Sequence, residues 1–341
     1  MTVSFTPSQA GEHQVSVTFR GKHLPGSPFN LEVVDRPVYR RDYSKVSDKP
    51  ASRFGSKGAR DGLFQSPYSV PCNSMGEIFV ADMNNHRLQV FDRNGKFLFK
   101  FGSNGNGNEQ FQYVAVTIDE RNNQIVVSGF FNHRIQIFDE KGTFLRAFGS
   151  KGNGDGQFTY PRGIVVHKQG YVVADRGNHR IQIFNSQGQL VRKFGSEGAG
   201  NGQMMTPIGV GVLSNGNIVV GEWDGERLQI FDSEGNFVRI LGAGQFKNPR
   251  HLFVDSDDNI LVADSGNNHI QVFHHNGDHI KTIGTGQLSD PCGVCMDREG
   301  RIIVGEASSA QSFHLLGAFI SKVASLSCSV SQLWLNEGRF I

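Results

Sequence analysis

Apolar and polar residues alternate along this chain in short runs, and one run recurs. Asn132-His133-Arg134-Ile135-Gln136-Ile137-Phe138-Asp139 has close copies at 85–92, 178–185, 225–232 and 268–275. In each copy the position before the Phe is β-branched: Val90, Ile137, Ile183, Ile230 and Val272. Alternation of this kind reads as a strand with one face buried. The copies lie about 46 residues apart, in strand-rich units punctuated by Gly, which is the pattern of a radial or linear repeat array.

Each unit predicts four short strands. The first strand follows a Pro or its equivalent, at 69–73, 114–118, 163–166, 209–213, 251–255 and 293–297. The second falls at 77–81, 124–128, 170–174, 217–221, 259–263 and 301–305. The recurrent run is the third. The fourth ends in Phe-Gly or its equivalent, at 97–102, 144–149, 190–195, 237–242 and 279–284. Asn94-Gly95 and Asn276-Gly277 read as two-residue hairpin turns between the third and fourth strands. An extra Arg53-Phe54-Gly55 precedes the first unit and is a fourth strand with no sheet before it. A ring explains this displacement, because the N-terminal strand then completes the last sheet and leaves no long open edge. The expected fold is therefore all-β: a six-bladed propeller over 51–316, closed by an N-terminal strand.

Residues 1–36 also alternate like strands but are too few to stand alone, so they read as part of an immunoglobulin-like sandwich. The stretch 37–50, charged and carrying Pro37 and Pro50, reads as a linker. The tail 317–341 is Ser-rich and unlike the units, and the expected third strand of the last unit reads Ala310-Gln311-Ser312.

Composition adds limits. The 42 Gly lack a three-residue period, which excludes a collagen-like chain and fits many tight turns. A net charge of +2 means that any affinity for nucleic acid must come from a local patch. Cys72, Cys292, Cys295 and Cys328 are few and irregular, which suits a reducing compartment. The N-terminus lacks the basic and apolar regions of a signal peptide, and 315–335, with Lys322, Gln332 and five Ser, is too polar for a membrane anchor.

Two resemblances follow. The units, with Asp-x-x-Asn-His-Arg-(Ile/Leu)-Gln-(Val/Ile)-Phe, resemble NHL repeats. Thr6-Pro7, Gly11-Glu12-His13, Val15-Ser16-Val17-Thr18-Phe19, Gly21 and Pro25-Gly26-Ser27-Pro28-Phe29 resemble the closing strands of a filamin-type repeat. Together they resemble the C-terminal half of TRIM-NHL proteins. The resemblance implies a cytoplasmic post-transcriptional regulator that binds RNA; the ring-finger, B-box and coiled-coil segments of full-length relatives, and with them ubiquitin-ligase chemistry, are not seen in this sequence.

The residues themselves point to binding rather than catalysis. Asp82, Asp175, Glu222, Asp264 and Glu306 close the second strands, and Arg87, Arg180 and Arg227 follow five residues after the first three of them. Across a hairpin these make charge-assisted clasps, and catalytic carboxylates would not recur once per unit. The repeated His86, His133, His179 and His269 fall on different sheets, away from any shared metal. The Gly-rich loops lack the Gly-Lys-Ser/Thr of phosphate loops. Cys292-Gly293-Val294-Cys295 has no second ligand pair for zinc. No cofactor, metal or small-molecule substrate is expected.

The loops before the first strand and after the second strand share one face of a propeller. They carry side chains that differ between units: Tyr68, Tyr113, Phe130, Arg162, Arg176, Trp223, Arg250 and His251. Rings stack unpaired bases, and guanidinium groups both stack and neutralise phosphate. Single-stranded or hairpin RNA is the expected partner, with a protein-docking platform for a ubiquitin ligase as the rival, since exposed rings also mark protein interfaces.

Overall fold

The computed structural model of the chain describes residues 11–15, 18–19, 22–23, 29–168, 170–307, 313–316 and 320–328. Two compact units are present, Met1–Asp42 with Ile320–Ile341, and Tyr43–Phe319.

In the smaller unit the strand Phe29–Arg41 runs between Gly11–Val15 and Ile320–Cys328, antiparallel to both, and Thr18–Phe19 pairs with Lys22–His23. Residues 37–41, expected within a linker, thus belong to a strand. Charge did not prevent this, because a ladder needs backbone partners, and Ile320–Cys328 from the divergent tail supplies them. Thr6, Pro7, Ser16, Val17, Gly21 and Pro25 to Pro28, which carry part of the filamin resemblance, lie outside the described residues, as do Ala310, Gln311 and Ser312.

The larger unit is an all-β propeller. Five sheets have four antiparallel strands. In chain order the first four are Val114–Asp119, Gln124–Gly129, Arg134–Asp139 and Phe144–Phe148; then Pro161–His167, Gly170–Asp175, Arg180–Asn185 and Leu190–Phe194; then Pro207–Val212, Ile218–Glu222, Arg227–Phe231 and Phe237–Leu241; then Pro249–Val254, Asn259–Asp264, His269–His274 and His279–Ile283. The last has Pro291–Met296, Ile302–Glu306 and Phe313–Leu316, and its fourth strand is Ser52–Phe54 from the start of the unit.

A further sheet near the start has three strands, Ile78–Asp82, Arg87–Phe91 and Phe97–Phe101. The expected inner strand beside it is reduced to isolated bridges, Pro67 to Asp82 and Cys72 to Ile78. Pro71 lies inside that segment and has no N–H to donate, so the ladder breaks there. Among the described residues, complete four-stranded blades therefore number five, where six were expected.

Packing closes the ring. One apolar cluster joins the three-stranded sheet to the next through Phe79, Leu88, Val116 and Phe138. Similar clusters join each following pair of sheets. The last, with Phe64, Val70, Ile78, Phe91, Cys295 and Ile303, joins the end of the unit back to its start.

The motif Phe is the pivot of each interface. Phe91, Phe138, Phe184, Phe231 and Phe273 are all buried. The Phe ending the preceding outer strand packs on it: Phe54 on Phe91 at 5.4 Å, Phe101 on Phe138 at 5.1 Å, Phe148 on Phe184 at 4.9 Å and Phe194 on Phe231 at 4.9 Å between ring centroids. Tilted ring pairs at this spacing add to the area they bury. Ser52–Phe54 thus brings both a ladder and the ring that seats the first motif.

The hairpin turns between third and fourth strands differ from the two-residue form expected. At 92–96 only Gly95 has positive φ, at 82°, whereas a two-residue type I′ turn needs it at both central positions. The Asp92 carboxylate instead accepts the Asn94 and Lys96 N–H groups at 2.8 and 2.9 Å, and Asp139 and Asp232 do the same in later units.

The fifth copy of the motif is also offset by one from the sequence alignment. The left-handed residue after the second strand is His86 in one unit and Asn268, not His269, in the fifth. His269 pairs across from Asp264, as Arg87 does from Asp82.

Tyr43–Lys45 forms a short 3-10 turn at the edge of the propeller. The Tyr43 hydroxyl donates to Asp255 at 2.6 Å, and Tyr43 and Val46 join the cluster of Val272 and Ile283. No helix among the described residues is long and apolar enough to cross a membrane.

Candidate functional site

Before each inner strand the chain turns through one left-handed residue. These are Ser66, Tyr113, Tyr160, Thr206, Asn248 and Asp290, with φ from 50 to 59°. Left-handed backbone is uncommon for side chains other than Gly, so its recurrence marks a built corner. After the second strands, Asp82, Asp175 and Asp264 lead into 3-10 turns whose first residues are Met83, Arg176 and Ser265. Both sets of corners meet at one mouth of the ring.

The expected clasps hold these corners. Arg87 Nε donates to Asp82 at 2.9 Å, Arg180 to Asp175 at 2.8 Å and Arg227 to Glu222 at 2.8 Å, and His269 Nε2 lies 3.2 Å from Asp264. Each carboxylate also accepts a backbone N–H from the loop before the inner strand, Gln65 for Asp82 and Thr159 for Asp175. Burial raises the carboxyls of Asp82 and Asp175 above their usual range, against the pull of those hydrogen bonds and arginines. With a guanidinium under 3 Å away, both are ion-paired at neutral pH. In the second unit Gly129 replaces the acid; Asn132 Oδ1 accepts the Gln112 N–H at 2.7 Å in its place, and a Cβ at Gly129 would fall 2.8 Å from that oxygen.

The clasped corners place the expected site residues as follows. The Arg162 guanidinium lies 3.8 Å from the Tyr68 ring centre and 5.2 Å from that of Phe130. Arg176 lies 5.7 Å from Phe130 on the neighbouring corner. Phe130 stacks on Tyr160 at 4.9 Å and meets Phe131 edge-on at 4.8 Å, and Tyr113 is 6.2 Å from Phe130. Further round, Arg250 sits 4.9 Å from Trp223 and pairs with Asp290 at 3.1 Å. Beneath them Tyr68, Met83, Ala115, Ile208 and Cys292 close the top of the channel, with Tyr113 and Trp223 against them. Burial pushes the Cys292 thiol up to about 12, so it is an inert packing group.

Seven of the eight residues therefore gather at the mouth, in two charged aromatic groups. Two have altered standing. Tyr68 is 2% exposed and covered by Arg162, so no ring face is open for stacking. His251 is separate: it lines a channel cavity of ≈ 230 Å³ with Val116, Val166 and Val212, and its Nδ1 lies 3.1 Å from the Val294 carbonyl. Burial pushes its pKa down to about 4, so it is neutral. Among the described residues no group of three His, Cys, Asp or Glu is placed to hold a metal.

Tyr160 and Asp290 were missed from sequence. The signal was present, since each directly precedes the Pro that opens an inner strand, Pro161 and Pro291.

The electrostatics are uneven. Arg250 is neutralised by Asp290. Arg162 and Arg176 have no carboxylate ion pair among the described residues, and Arg162 Nε is buried without a partner. Burial, and next the Arg162 charge, hold the Arg176 guanidinium below its usual range, with Asp224 pulling the other way. Two like charges held together over rings make a local positive field within a nearly neutral chain.

Comparison with known proteins places these features. Residues 158–184 and 246–273 match the NHL repeat, 60–136 match a 6-bladed beta-propeller family, and 1–30 match the Filamin/ABP280 repeat. The chain is 40% identical over 98 residues to the E3 ubiquitin-protein ligase TRIM71 of Bos taurus, covering 29% of this chain and 11% of that protein. It is 34% identical over 101 residues to Protein lin-41 of Caenorhabditis elegans, covering 29% and 8%, and 46% identical over 48 residues to Protein brain tumor of Drosophila melanogaster, covering 14% and 5%. The matches thus span about a tenth or less of those proteins' lengths. Among solved structures, a streptogramin B lyase aligns with a TM-score of 0.57 at 13% identity over 79% of this chain and 97% of its own. A putative gluconolactonase aligns with a TM-score of 0.59 at 13% identity over 85% and 99%. At such identity these two share the propeller fold alone. Repeat motif, filamin match and relatives agree: the chain carries NHL and filamin-type repeats and is similar to TRIM71 and lin-41 over part of its length.

Proposed function

We propose that the propeller is an interaction domain whose mouth binds RNA, single-stranded or in a hairpin, within a cytoplasmic post-transcriptional regulator. The observation that carries this reading is the pair Arg162 and Arg176. They share the Phe130 ring, have no carboxylate ion pair among the described residues, and the Arg162 charge helps hold the Arg176 guanidinium below its usual range. An anion between them relieves that repulsion, and phosphate beside stacked rings is the anion that fits. Arg250 is engaged by Asp290, so Arg162 and Arg176 take the phosphates, while Phe130, Tyr113 and Trp223 offer ring faces to bases.

In this reading the three-stranded sheet with its bridged inner segment is the sixth blade, and the division of the chain is a filamin-type segment before the propeller. The reading is of a binding module without catalysis of its own.

The double substitution Arg162→Ala with Arg176→Ala tests the role. RNA retention on filters should fall at least tenfold, and the salt dependence should flatten by about 0.7 in slope per lost phosphate contact on a single strand. Unchanged retention, with an unchanged melting temperature, would overturn it. The rival, a protein-docking platform, has its own support in Phe131, which is 46% exposed beside Phe130, and in the exposed Met205. Nuclease-resistant partners lost on Phe131→Ala, with no RNA retained, would favour it.

A further inference from the structure

Where the ring closes, two cysteines meet. Cys72 lies in the inner segment of the three-stranded sheet and Cys295 in the strand Pro291–Met296 of the last sheet, 223 residues further along the chain. Their sulfurs are 3.5 Å apart. Neither is oxidised. Cys295 is buried among Val70, Ile78, Val80 and Ile303. Cys72 is half-buried, and its thiol donates to the Met296 carbonyl at 3.2 Å. Both line the ≈ 230 Å³ channel cavity, which gives a small solute in the channel a path to the half-buried Cys72.

We propose that Cys72 and Cys295 form a redox site, in which a hydroperoxide entering the channel converts the two thiols to a disulfide across the closing seam of the ring. The chemistry uses both residues in turn. The more accessible Cys72, as thiolate, attacks one peroxide oxygen; the O–O bond breaks, giving Cys72 sulfenic acid and, after protonation, water or an alcohol. The Cys295 sulfur then attacks the Cys72 sulfur; the S–O bond breaks, and hydroxide leaves and takes up the Cys295 proton as a second water. Two thiols lose two electrons and the peroxide gains them.

The geometry permits this. Closing from 3.5 Å to a bond of about 2.05 Å moves the sulfurs by roughly 1.5 Å, which rotation of one half-buried side chain toward its neighbour can supply. Burial raises the Cys295 thiol well above its usual range, with the neighbouring Cys72 acting in the same direction. Its greater exposure assigns Cys72 as the attacking residue, and the buried Cys295 is the resolving one. The consequence is structural: a seam otherwise held by non-covalent contacts, among them apolar packing and the Arg93–Glu299 ion pair, becomes covalent.

The test uses the full chain, purified reduced, treated with hydrogen peroxide and quenched with N-ethylmaleimide. Peptide mass spectrometry without reductant should find Cys72 joined to Cys295, and the melting midpoint should rise by about 10 °C, given the long loop enclosed. Dithiothreitol should reverse both, and Cys72→Ser should abolish both. Should Cys295→Ser fail to fold, the cross-linked peptide in the unaltered protein still decides. Cys72 found as sulfinic or sulfonic acid with Cys295 alkylated, or neither residue oxidised, would overturn the proposal.

Discussion

His251 shows how a single side chain in this fold sets a pH response. An imidazole facing a channel lined by valines gains no carboxylate partner, and burial holds it neutral with a pKa of about 4. The unfolded chain binds a proton at His251 near pH 6.5, and the folded chain only near 4. Between these values the unfolded state holds more protons, so stability falls as pH falls through that window and is fully present above it. The contribution is about 2 kcal/mol, after discounting for the partial exposure of the ring to the channel. Urea midpoints at pH 7 and pH 4.5 should differ by less in His251→Gln than in the unaltered protein; an equal difference would refute the role. This behaviour was not legible in the sequence. The sequence placed His251 at the mouth, and only the lie of the inner strand put it below, against the Val294 carbonyl.

At the scale of the element, the hairpin clasp is the unit that repeats. Asp175 is fully buried and accepts from Thr159, Asn178, Arg180 and Gln182 at once. It therefore ties the mouth corner, the 3-10 turn and the third strand together. Asp175→Ala leaves the Arg180 charge in place at 8% exposure without its carboxylate. A loss of about 3 kcal/mol follows, because an unpaired buried charge costs more than the pair contributes. Adding Arg180→Met should recover part of it, and chemical denaturation of both variants checks the order. The clasps were legible because strand pairing turns a fixed spacing into a facing pair. The turns were not: Asp92 and Asp139 rebuild the hairpin corner from a side chain, which an Asn-Gly pair in sequence does not announce. Nor was the shift that puts His269 in the arginine's place, since Asn267-Asn268-His269 offers an asparagine at both alignments and the Asn-His pair draws the eye to the wrong one; the ladder pairing His269 with Asp264 separates them.

At the scale of the whole molecule, one short strand decides whether the sheets make a ring. Ser52–Phe54 supplies the last sheet's outer ladder, and Phe54 also packs on Phe91 of the first sheet. Phe54→Ala removes the ring at the seam, costing about 2–3 kcal/mol for a partly buried phenyl. Hydrogen exchange should then quicken in Ser52–Phe54 and Phe313–Leu316, whereas Phe148→Ala, at an ordinary interface, should leave those segments protected. Equal protection in both variants would show that closure does not depend on this contact. The displaced strand was readable from Arg53-Phe54-Gly55 alone. The broken inner strand at Pro71 was not, because a single proline decides it locally.

The same closure sets a timetable for biosynthesis. A nascent chain offers Ser52–Phe54 long before its partner Phe313–Leu316, since all the intervening sheets are made between them. At about 5–20 residues per second the first strand waits for tens of seconds. During that interval the first sheets form an open arc with an unpaired edge at each end. Ring closure thus waits for that strand, and a chaperone that shields the early edge would act in this interval.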